Sequence, residues 1–128
     1  MTDKLIFFVD DEPMFINLLE YTFKGRNGYS VETFLNGEDC VEHLYKNPDL
    51  VVIDFFLNND ITKLTSVDVV KTIKKNHPAT KVIFLSGADD QAVIEEAMSL
   101  GVEKYILKDG YFVDTLSESI SKLFPTTT

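Results

Sequence analysis

The sequence predicts an α/β fold, a doubly wound five-stranded parallel sheet with five helices. Short apolar runs alternate along the chain with stretches whose apolar residues recur at helical spacing. Four of the five runs lack in/out alternation, as strands covered on both faces do. The resulting order, βαβαβαβαβα, requires right-handed crossovers between parallel strands, and these place helices on both sides of the sheet.

Each element has its own signal. Leu5 to Val9 is the first apolar run. Pro13 follows, suited to a first helical turn because its fixed φ and missing N–H cost nothing there, and Phe15, Leu18 and Leu19 make an apolar face that stops before Gly25. Tyr29 to Leu35 is the second strand, and Val41, Leu44 and Tyr45 mark the second helix. Leu50 to Ile53 is the third strand; Val70 and Ile73 mark a helix closed by Asn76, His77 and Pro78. Lys81 to Leu85 is the fourth strand, followed by a helix with Val93, Ile94, Ala97 and Met98 on its apolar face and Gly101 just past its end. Lys104 to Leu107 is the fifth strand, and Leu116, Ile120 and Leu123 define the last helix.

At 128 residues the chain is long enough for one core and too short for two. It holds no internal repeat, no linker, and no low-complexity stretch beyond Thr126 to Thr128. The expectation is a single domain over 1–128, with its core at about 4–124 and a short disordered tail at 125–128. Twelve Lys and Arg against 21 Asp and Glu give a formal charge of -9, which repels phosphate backbones and argues against direct nucleic-acid binding. The longest apolar run falls far short of the roughly 20 residues a bilayer span needs, and no cleavable leader precedes it. The single Cys40 cannot form an intrachain disulfide, so a cytoplasmic setting follows by default. Cys40 reads as a small packing residue, and His43 and His77 as ordinary helix-face and loop residues.

Doubly wound sheets bind ligands at the carboxyl ends of their strands. Here the first strand ends in Asp10, Asp11 and Glu12, the third in Asp54, the fourth in Ser86 and Gly87, and the fifth in Lys108. A polar strand end is ordinary taken singly. Jointly the set is not, because Asp54 interrupts the apolar stretch Leu50 to Leu57 where an apolar residue is the bland choice. Two like charges about 4 Å apart repel by about 4 kcal/mol at an effective dielectric of 20, so cations are expected beside these carboxylates. Lys108 is one; a hard divalent ion held by carboxylates and water, as Mg²⁺ usually is, is the other. An Asp in that setting can attack a phosphoryl group and form an aspartyl phosphate. The loose transition state asks mainly for positioning and charge neutralisation.

The set Val9-Asp10-Asp11-Glu12-Pro13, Pro48 to Asp54, Phe84-Leu85-Ser86-Gly87 and Tyr105-Ile106-Leu107-Lys108 resembles the receiver domain of bacterial two-component response regulators, from Lys4 to about Phe124. The resemblance implies the flavodoxin-like strand order 2-1-3-4-5. It implies that Asp54 accepts a phosphoryl group from a sensor histidine kinase or a histidine phosphotransfer protein. Asp10, Asp11, Asp54 and the backbone carbonyl of Phe56 would ligate Mg²⁺. Lys108 would pair with a phosphate oxygen, Ser86 would bond the phosphate, and Tyr105 would follow Ser86 as the second switch residue. A small residue at Gly87 leaves such a site open. The output surface would be the fourth helix, fifth strand and fifth helix, on a monomer or weak dimer that catalyses its own phosphorylation and slow dephosphorylation without a turnover substrate.

Three features depart from the common pattern. Asp109 stands where many members carry a cis-proline, so the Lys108–Asp109 bond is expected to be trans. The segment Phe55 to Ser66 is about four residues longer than usual, with a polar tip at Asn58, Asn59 and Asp60 that is expected to be mobile. No output domain follows the last helix, which implies a stand-alone receiver. Phe56 and Ala88, two residues after the acceptor and the hydroxyl, offer no side-chain hydrogen bond to orient a hydrolytic water, so a long-lived phosphoryl group is expected. A flavin-binding reading fails because Asp10-Asp11-Glu12 would repel a flavin phosphate. A haloacid-dehalogenase-type phosphatase would need a second Asp at the position of Phe56. The remaining alternative is an unphosphorylated adaptor that keeps the fold and binds partners through its fourth and fifth helices.

Overall fold

The computed structural model describes residues 3–57 and 63–125. Its strands are β1 (Lys4–Val9), β2 (Tyr29–Phe34), β3 (Leu50–Asp54), β4 (Lys81–Ser86) and β5 (Lys104–Leu107). They form one sheet in the order β2-β1-β3-β4-β5, and every pairing is parallel. The helices are α1 (Pro13–Lys24), α2 (Gly37–Glu42), α3 (Ser66–Asn76), α4 (Gln91–Met98) and α5 (Phe112–Leu123). The expected tip at Asn58 to Asp60 and the tail beyond Pro125 lie outside the described residues.

The period-2 alternation of the strands divides the core in two. Phe7, Val9, Val51, Ile53, Val82 and Phe84 face α2, α3 and α4, where Cys40, Val69, Val70, Ile73 and Ala97 meet them. Ile6, Phe8, Leu50, Val52, Ile83, Leu85 and Ile106 face α1 and α5, against Ile16, Leu19, Phe23, Phe112, Leu116 and Ile120. Both parities are therefore apolar, which is why these strands show no alternation in sequence. Each such side chain contributes about 1.5 to 3 kcal/mol on burial. At the edge, β2 is only half covered, and only Phe34 in it is buried.

Local chemistry fixes the helices. Thr65 and Asp68 form a reciprocal capping box at the start of α3, and the Asp90 carboxylate accepts from the amides of Ala92 and Val93 at the start of α4. Gly37 is required by packing, since a Cβ there would lie 2.8 Å from Val69 Cγ2 where α2 crosses α3. Gly101 has φ +84, the left-handed conformation that turns the chain from α4 into β5 at no steric cost to glycine.

Several expectations are corrected. The second helix stops at Glu42, and Leu44–Lys46 is a separate 3₁₀ turn ended by Asn47 in the left-handed region, so Tyr45 is exposed while Leu44 stays in the core. On α1 the row turned to the sheet is Ile16, Leu19 and Phe23; Leu18 lies off it at 40% exposure, and Phe15 is half-buried. The row one turn apart that carries Phe23, rather than the pair Leu18 and Leu19, gives the larger continuous apolar surface. Strand β2 ends one residue before Leu35, and α4 ends at Met98, leaving Ser99 and Leu100 between it and Gly101.

Candidate functional site

The ladders run one residue past the strands at the site. The Asp10 amide donates to the Phe34 carbonyl (3.1 Å), the Phe55 amide to Leu85 (2.8 Å) and the Lys108 amide to Ser86 (2.8 Å). Sheet geometry therefore fixes the backbones that carry the polar groups. By strand alternation Asp10, Asp54 and Lys108 continue the rows of Phe8, Val52 and Ile106, toward α1 and α5. Ser86 continues the row of Phe84, toward α4, and Tyr105 packs on that same side.

One oxygen from each of Asp10, Asp11 and Asp54 lies within 4.8 Å of the others. Asp10 and Asp54 are buried, at 2% and 7% exposure, and Asp11 is exposed. The Lys108 ammonium sits 2.7 Å from Asp10 Oδ2 and 3.5 Å from Asp54 Oδ2. Two backbone amides complete the ring: Glu12 N donates to Asp10 Oδ1 (2.9 Å) and Phe56 N to Asp54 Oδ1 (3.2 Å). Burial pushes the Asp54 carboxyl up to about 6; Lys108 opposes that shift and the charge of Asp10 adds to it. Asp11 is also raised, first by desolvation and then by Asp10. One lysine thus does not neutralise three carboxylates. The donors are all hard oxygens with no thiol or imidazole among them, a set that fits a hard divalent cation such as Mg²⁺.

Ser86 is fully buried, and its Oγ accepts from the Ala88 amide at 3.1 Å. The Tyr105 hydroxyl donates to the Ala88 carbonyl at 2.8 Å. Both residues singled out as switch elements therefore bond the backbone of one residue after β4, Ala88. A Cβ at Gly87 would meet nothing within 4 Å. Phe56 is half-exposed, its ring edge-on to Phe55 at 5.0 Å. No cis peptide occurs among the described residues, so Lys108–Asp109 is trans, and Asp109 Oδ1 accepts from Tyr111 N at 2.8 Å in the turn into α5. Cys40 is fully buried, its thiol pushed up to about 12 by desolvation, and His43 bonds the Asp39 carbonyl through Nδ1; both lie away from the site.

Two contributors were not legible as site residues. Ser66, the first residue of α3, is buried, and its hydroxyl donates to the Phe55 carbonyl at 2.5 Å, anchoring the backbone beside Asp54. Phe15, which helical spacing assigns to the core face, has Lys108 Nζ 4.1 Å from its ring centroid. The available signal was its position in the first turn of the helix that directly follows Asp10 and Asp11.

The model for the response regulator receiver domain matches residues 6–120, and the chain belongs to that family, as the receiver domain of a two-component response regulator. It is 30% identical over 107 residues to the alkaline phosphatase synthesis transcriptional regulatory protein PhoP of Bacillus subtilis, covering 83% of this chain and 42% of the relative. It is 31% identical over 108 residues to the chemotaxis protein CheY of Thermotoga maritima, covering 82% of this chain and 85% of that one. The Salmonella typhimurium RcsB response regulator superposes with a TM-score of 0.83 at 20% identity, over 96% of this chain and 62% of that structure. The chain spans about half the length of several curated relatives it matches, 42% of PhoP and 57% of the Staphylococcus saprophyticus VraR among them. No helix is long and apolar enough to cross a membrane among the described residues.

Proposed function

We propose that the protein is a phosphoacceptor: Asp54 takes a phosphoryl group from the phosphohistidine of a sensor kinase or phosphotransfer protein, and the modification changes a partner-binding surface. The observation that carries this reading is the junction of Asp10, Asp11, Asp54 and Lys108 at the carboxyl ends of β1, β3 and β5. A carboxylate oxygen of Asp54 bonds to phosphorus as the P–N bond of the donor breaks, and the bonding pair stays on the imidazole nitrogen. Lys108 faces the acceptor oxygen and can follow charge onto the phosphoryl oxygens. Asp10, Asp11, Asp54 and the Phe56 carbonyl would hold Mg²⁺, which when bound supplies charge neutralisation for the transferring group. The Asp10 pairing keeps the ammonium at the site before any phosphoryl group arrives. Ser86 and Tyr105, joined through Ala88, lead toward α4, β5 and α5, the surface assigned to the downstream partner.

Incubation with acetyl phosphate and Mg²⁺ should add one phosphate to the wild type and none to Asp54→Asn, read by intact-protein mass. Asp11→Ala should lose Mg²⁺ binding over the range that saturates the wild type while keeping or gaining stability, because carboxylate repulsion is relieved. Stable labelling of Asp54→Asn, or unchanged Mg²⁺ affinity in Asp11→Ala, would overturn the assignment.

A further inference from the structure

Lys108 reaches the site from the end of β5 with its side chain 9% exposed, so water does little to hold its charge. Two sides of the ammonium are taken by Asp10 at 2.7 Å and Asp54 at 3.5 Å. Phe15, in the first turn of α1, places its ring centroid 4.1 Å from Nζ. That is close cation–π range, where the negative face of the ring attracts the cation. The ring is itself fixed, because it packs on the α1/α5 half of the core and meets the Phe112 ring edge-on at 5.7 Å and 63°. Phe112 is the first residue of α5, so the contact ties α1, α5 and the end of β5 around one ammonium.

We propose that Phe15 is a positioning residue for phosphoryl transfer, its π face holding the Lys108 ammonium against the acceptor carboxylate. The inference rests on the phosphoacceptor reading of Asp54 and adds a residue that the acidic cluster does not account for. Lysine carries four rotatable carbons and a compact charge, so with Asp10 and Asp54 holding the ammonium on two sides, a third boundary fixes where between the two carboxylates it sits. An aliphatic side chain at this position would fill the volume but offer the charge nothing. An aromatic ring limits the swing and compensates part of the lost hydration at the same time.

The test separates ring electrostatics from packing. Wild type, Phe15→Tyr, Phe15→Leu and a variant carrying trifluorophenylalanine at position 15 are phosphorylated by acetyl phosphate at saturating Mg²⁺, and their thermal unfolding is followed in parallel. Phe15→Tyr should phosphorylate at the wild-type rate. Phe15→Leu and the fluorinated ring, whose shape is kept while its negative face is drained, should each slow by about threefold to tenfold, the scale of a partly buried cation–π contact. In the wild type the Lys108 εCH₂ protons should resonate upfield of other lysines because of the ring current, and in Phe15→Leu they should return to the ordinary position. If the fluorinated variant is as fast as wild type, or the Lys108 protons show no upfield shift, the role is overturned even if Phe15→Leu is slow or unstable. A wild type that takes no phosphoryl group would overturn the acceptor reading and this role with it, a result distinct from a phosphorylated wild type whose rate ignores the ring.

Discussion

Asp54 places an acidic side chain at the end of a strand in which every residue is buried. Its carboxyl is pushed up to about 6 from an ordinary 3.8 chiefly by burial, with Lys108 unable to offset the loss of water. Folded protein therefore binds a proton here that unfolded protein releases. The group's cost to stability is absent below about pH 4, grows as the pH rises through 6, and is fully present above it. In cation-free buffer with a chelator, Asp54→Asn should thus be more stable than wild type by an amount that rises from near zero at pH 4 to the order of 2 kcal/mol at pH 7. Urea unfolding of both proteins across that range checks it. A difference that stays constant with pH would mean that Asp54 is better solvated than its burial indicates.

At the scale of elements, what was legible depended on periodicity. Four of the five strands were readable because both parities are apolar, β2 being the half-covered edge strand, and β1 and β3 to β5 were bounded to within a residue by their polar ends. The second helix was misjudged in length because Leu44 and Tyr45 continue a helical pattern that the left-handed Asn47 cuts short, a backbone event that composition does not announce. Leu18 was misplaced because α1 carries apolar residues on more than one face, and only the packing of Phe23 chooses between them. The acidic cluster and Lys108 could be found from strand ends alone; the Phe15 contact and the Ser66 anchor could not, since each depends on how a helix is rotated against the sheet. The turns after β3 and β4 carry a second consequence. Ala88 spends its backbone N–H on Ser86 and its carbonyl on Tyr105, and neither it nor Phe56 has a side chain that can orient water. With positioning the main source of catalysis in a loose transition state, the aspartyl phosphate should persist for minutes to hours in purified protein, and Phe56→Asn should shorten it severalfold. Decay within seconds in the wild type, followed by loss of label, would contradict this.

Across the whole molecule, the sheet separates two tasks. Asp10, Asp54 and Lys108 continue the strand rows that face α1 and α5, whereas Ser86 and Tyr105 lie on those that face α4. On the proposed reading, a message from a phosphoryl group on Asp54 toward α4 would pass around the end of β4, where Ala88 is, among the described contacts, the residue whose backbone both Ser86 and Tyr105 bond. On the proposed switch reading, breaking one of those bonds would not require a new fold; it would shift the balance between two arrangements of the β4–α4 turn. A hydrogen bond of this kind contributes about 1 kcal/mol, which corresponds to roughly a fivefold change in a two-state equilibrium constant. Tyr105→Phe removes the bond to the Ala88 carbonyl and leaves the acidic cluster untouched. It should be phosphorylated at close to the wild-type rate, while its unphosphorylated form moves part of the way toward the activated spectrum. Amide NMR with and without beryllofluoride checks this: in the wild type the shifts should extend from the metal-site loops through residues 89 to 120, and in Tyr105→Phe the apo resonances of that region should already be displaced along the same lines. Shift changes confined to the loops bearing Asp10, Asp11 and Asp54, with residues 89 to 120 silent in both proteins, would show that the two faces of the sheet are not coupled through Ala88.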